Sequence, residues 1–60
     1  MTVYERLEKI QDVYVKNAEA CKKMALYSAY EILMADANML GRYIDEMPVA
    51  IAGMYAGENE

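Results

Sequence analysis

Sixty residues, a net charge of −4, one cysteine and no histidine exclude several classes at once. A single cysteine rules out an intrachain disulfide, the commonest zinc ligand is missing, and an acidic balance argues against nucleic acid, which selects a basic footprint. What remains is a chain of at most one domain, 57% hydrophobic against the usual ~45–50%, with little interior in which to bury that excess. Small chains in this position rely on efficient packing or on association. An all-α protein in a homo-oligomeric bundle is therefore expected.

The N-terminus reads as a helix start. Thr2 and Glu5 fit a capping box, in which the hydroxyl accepts from the Glu5 amide and the carboxylate reaches back. Helix-compatible residues continue without Gly or Pro until Gly41, which predicts a first helix from about residue 3 to the mid-thirties. Its first half carries a heptad pattern. Val3, Leu7, Ile10, Tyr14, Asn17, Cys21 and Met24 alternate in steps of four and three, as in a coiled-coil seam, and Asn17 is a candidate to fix register there. On the opposite side Glu5, Asp12 and Glu19 each precede a lysine (Lys9, Lys16, Lys23) by four positions, the favourable orientation for helical ion pairs. A lysine stripe could serve an anionic ligand, but each lysine has its own acid, so a solvated, self-paired face is expected.

The pattern changes near residue 24. From Met24 to Ala35 only Ser28 and Glu31 are polar beyond the tyrosine hydroxyls. A segment apolar nearly all round is buried nearly all round. Either the long helix changes its buried face part-way, or Ser28 and Glu31 form a polar layer on a symmetry axis. Asp36, Asn38 and Gly41 then mark a turn. Met39, Leu40, Tyr43, Ile44 and Met47 suit the inner face of a shorter helix, which Pro48 must interrupt. Val49 to Tyr55 form a further short apolar segment that Gly57 stops. The expected architecture is a long N-terminal helix, a turn, and a shorter Pro-broken arm that folds back as a helical hairpin. Residues 1–57 make one helical domain, and residues 58–60 a frayed acidic tail.

No chemistry is encoded in a recognisable motif. Cys21 lies in the apolar stripe with no histidine to act as its base. Neighbouring carboxylates either diverge, as Asp45 and Glu46 do, or have basic residues between them. The Glu-x-x-His motif of di-metal bundles cannot be written, and no phosphate-binding glycine loop is present. Neither an enzyme nor a cofactor is expected. Six tyrosines and no Phe or Trp favour contact surfaces, where a large ring keeps one wet end. Self-association is expected through Val3, Leu7, Ile10, Tyr14, Cys21, Met24, Tyr27, Tyr30 and Met34.

Charge is uneven. Residues 1–23 hold five basic and four acidic side chains, whereas residues 24–60 hold one basic and six acidic ones. Asp36, Asp45 and Glu46 are thus candidates for contact with a second protein. The expected role is that of a non-enzymatic interaction module that acts as a homo-oligomer on a protein partner, a regulator or inhibitor of the kind phages and mobile elements encode. The alternative is a small dimeric helical-hairpin regulator that binds nucleic acid, supported by the lysine stripe alone. The N-terminus lacks a basic stretch followed by an apolar one, and no stretch reaches the ~20 apolar residues of a membrane span. A cytoplasmic location is expected.

Overall fold

The computed structural model describes residues 1–55. It is all-helical, with α1 over Val3–Lys23, α2 over Tyr27–Glu46 and a single-turn α3 over Val49–Ala52. α1 and α2 pack against each other along their length as an antiparallel hairpin, and α3 folds back onto α1. The expected stop at Gly57 and the acidic tail Glu58–Glu60 lie outside the described residues.

α1 begins as its sequence dictates. The Thr2 backbone N–H donates to the Glu5 carboxylate at 2.8 Å, and the Glu5 amide donates to the Thr2 hydroxyl at 3.2 Å, which closes the capping box. The two hydrogen bonds from Thr2, backbone first, hold the Glu5 carboxyl below its ordinary range. A carboxyl depressed in the fold contributes stability above its ordinary pKa and loses it as the pH falls through the lowered one.

The turn stands where the sequence offers no turn residue, and this corrects the expected boundary. α1 stops at Lys23, not in the mid-thirties. The chain reverses over Met24, Ala25 and Leu26. Ala25 adopts φ 61°, its N–H donates to the Lys22 carbonyl at 3.1 Å, and the Leu26 N–H donates to the Cys21 carbonyl at 2.8 Å. This is a Schellman motif with alanine in the left-handed position that glycine usually fills. Asp36, Asn38 and Gly41, expected to form the turn, lie inside α2. Burial overrides their local preference. Tyr30, Leu33, Ala37, Leu40 and Ile44 recur in steps of three and four and are among the half-buried or buried residues of α2, while Asp36 and Asn38 are exposed. The change of pattern near residue 24 therefore marks a change of direction. It is not a change of buried face in one continuous helix, and Ser28 and Glu31 are exposed on α2 of the single chain.

The packed side of α1 is also displaced from the simple heptad. At ~100° per residue, Leu7, Tyr14 and Ala18 fall within an arc of about 40°, and Asn17 lies about 80° from its middle. Ala18 is fully buried and Asn17 is exposed, so Asn17 takes no part in the packing of α1 on α2. Ala37 is the corresponding small residue of α2. Beside it, Gly41 admits the Gln11 side chain, whose amide donates to the Ala37 carbonyl at 2.9 Å. Pro48 interrupts the C-terminal part as expected. Met47 takes the extended conformation required before proline, and Pro48 stands at the N-cap of α3.

Candidate interaction surface

The hairpin is a single layer. Its extents are 40 × 25 × 10 Å, and 10 Å is one helix diameter. Among the described residues only Ala18, Ala37 and Ile44 are buried, and no large side chain is fully enclosed. In an antiparallel pair the two helices share two broad faces, and these differ in chemistry.

One broad face is apolar. On α2, Ile32, Asp36, Met39 and Tyr43 fall at i, i+4, i+7 and i+11, one side of the helix. That row stands beside Ile10 and Tyr14 of α1, with which Asp36, Met39, Leu40 and Tyr43 enclose a shallow groove of about 210 Å³. Val13 extends the apolar surface past Ile10 toward Met1, Arg6 and Lys9. Its large side chains are open to solvent: Ile32 is 63% exposed, Tyr43 62%, Val13 52% and Met39 46%. Asp36 is the one acidic side chain that lines the groove.

The opposite face is polar. Gln11 bridges the helices there. Lys22 stands 5.4 Å from the centre of the Tyr30 ring, a cation–π distance, and with Val15, Glu19, Lys23 and Met34 the pair lines a cleft of about 380 Å³. Nearer the other end, Glu8 holds the Tyr4 hydroxyl protonated above its ordinary range, by its charge and by a hydrogen bond, and Asp45 adds to the effect. Along the outer side of α1, Asp12 and Lys16 close their expected ion pair at 3.0 Å. Both side chains are well exposed, so the pair contributes little stability.

The residues expected to mediate self-association separate into four groups. Val3, Leu7, Tyr14 and Cys21 lie half-buried on the side of α1 turned toward α2, so the hairpin itself covers much of that stripe. Ile10 belongs to the apolar face. Met24 and Tyr27 are exposed at the turn, and Tyr30 and Met34 line the polar cleft. The acidic candidates do not form one patch. Asp36 sits in the apolar groove, Asp45 on the polar face beside Tyr4, and Glu46 on the outer side of α2 with Met39, Arg42 and Tyr43. The row Ile32–Met39–Tyr43 was not anticipated, although its i, i+7, i+11 spacing is present in the sequence. A helix boundary placed across residues 36–41 cuts it in two.

Among the described residues there is no group of three or more His, Cys, Asp or Glu side chains placed to hold a metal ion, and no helix is long and apolar enough to cross a membrane. No protein-family model matches the chain, and no curated protein or solved structure is significantly similar to it.

Proposed function

We propose that this chain is a non-enzymatic protein-interaction module whose working surface is the broad apolar face formed by α1 and α2. The observation behind the proposal is a hairpin one helix thick with large apolar side chains open along one face and polar groups on the other. Monomeric proteins seldom leave a contiguous apolar patch of that extent uncovered, and such patches mark contact sites. Tyr43 and Met39 suit the role, one as a rigid ring with a polar end and the other as an adaptable thioether. The covering surface is a protein surface, either of the same chain or of another. A module of this design regulates or inhibits by occupancy, since it excludes whatever else would bind where it sits.

Site-specific photo-cross-linking tests the proposal. A benzophenone amino acid is placed at position 32 or 39 on the apolar face, or at position 12 on the outer side of α1, in cells that express the chain. Protein adducts from positions 32 and 39, and none from 12, are expected. Absence of adducts from both apolar-face positions refutes it.

A further inference from the structure

The interaction surface has a specific occupant: we infer that it closes against the same face of a second copy, giving a two-fold four-helix bundle. This rests on the apolar face being an interaction surface and adds the identity of what covers it.

The first argument is area. The surface accessible to solvent is 4583 Å², whereas a compact monomer of 6.8 kDa exposes about 4000 Å² by the usual scaling with mass. The excess is several hundred Å² over the whole chain, the exposed arm included, somewhat below the ~800 Å² that each partner contributes to a standard stable interface. A face of 40 × 25 Å is large enough to supply it. The radius of gyration agrees: 13.4 Å, against about 10 Å for a compact chain of this length.

The second argument is the missing core. With three buried residues among those described, two of them alanine, the hairpin depends on whatever covers it whenever it is folded. A second copy is present wherever the chain is made, at the chain's own concentration, and its binding stabilises the fold by mass action.

The third argument is charge. The chain is at −4, yet the apolar face is nearly balanced, with Arg6, Lys9 and Arg42 at its margins against Asp36 and Glu46. Two copies brought together by this face meet without net repulsion. The polar face, with Glu8, Glu19 and Asp45 against Lys22 and Lys23, is balanced to the same degree, so charge permits the apolar contact and the exposed apolar rows select it. A two-fold contact also requires one patch to complement itself. Two antiparallel helices that each present an apolar row meet this requirement, because rotation returns a row opposite a row.

The experiment uses the purified full chain. Light scattering after size exclusion at micromolar concentration is expected to give twice the chain mass. The midpoint of helix melting is expected to rise across a hundredfold increase in concentration, as it must when folding and association are coupled. The double variant Ile32→Glu, Met39→Glu is expected to lose the dimer, and Met24→Glu, at the exposed turn, to keep it. A mass of one chain with a concentration-independent melt overturns the inference. So does a mass above two chains, or a dimer that survives the double variant and is lost in Met24→Glu. If the double variant does not fold, the mass and concentration dependence of the unmodified chain still decide. A monomer that yields cross-links from positions 32 and 39 in cells overturns the second copy as occupant and leaves the interaction surface standing.

Discussion

Ala25 is held at φ 61°, a region that costs an L-residue with a Cβ roughly 1–2 kcal/mol. The cost is accepted because the position closes two hydrogen bonds of the reversal, from Ala25 to Lys22 and from Leu26 to Cys21, which satisfy carbonyls that the end of α1 would otherwise leave open. Glycine has no such penalty there and loses somewhat more freedom on folding. Ala25→Gly is therefore expected to stabilise the protein by about 0.5–1 kcal/mol, measurable as an increased urea midpoint with an unchanged slope; destabilisation would show that the alanine methyl makes contacts that outweigh the strain. The same residue explains why the reversal was hidden. Met24, Ala25 and Leu26 include no Gly, Pro, Asn or Asp, and α2 begins at an apolar residue without a side-chain cap or an acidic first turn. The capping box at Thr2 and Glu5 and the break at Pro48 were legible because there the local chemistry and the fold agree.

At the scale of elements, α1 and α2 are held by close approach more than by bulk. Ala18 and Ala37 supply small surfaces at the contact, and Gly41 lies where Gln11 crosses between the helices. A Cβ built on Gly41 would stand 2.8 Å from the Gln11 side-chain nitrogen and meet nothing else that close. This links two residues that are 30 positions apart. With Gln11→Ala in place, Gly41→Ala should stabilise α2 by about 0.8–1.0 kcal/mol, the difference in helix propensity. With Gln11 present, the same change must displace its amide from the Ala37 carbonyl, so the gain should fall by about 0.5–1.5 kcal/mol, the net value of a hydrogen bond. A double-mutant cycle by denaturant unfolding measures that difference directly. Additivity would mean that Gln11 moves aside without loss. The hairpin class was legible from apolar periodicity, but its register was not. The sequence heptad passes through Asn17, whereas packing at 3.6 residues per turn moves the buried position to Ala18, and the helix of Gly41 is maintained by burial on either side of it.

Across the whole molecule, the two ends of the described chain meet. The Val3 N–H donates to the Met54 carbonyl at 2.7 Å, and Thr2 and Tyr55 form an isolated antiparallel bridge. α3 lies on α1, but Val49, Ile51, Met54 and Tyr55 remain exposed, so the arm gains little from burial and depends on this fastening. Such segments open locally with a free energy well below that of the whole fold. Val3 is the first residue of α1, where the N–H has no partner within the helix and proline is well tolerated. Thr2, at φ −80° and ψ 164°, already has the extended backbone required before proline. Val3→Pro therefore deletes the bond to Met54 while sparing the capping box and α1. Loss of about 1 kcal/mol should accelerate hydrogen exchange of the amides of Ile51 to Met54 roughly fivefold, with the amides of α1 and α2 around Ala18 and Ala37 unchanged. Equal acceleration in both sets would show that the arm unfolds only with the hairpin, and the fastening would then belong to the global fold and not to a separate C-terminal unit.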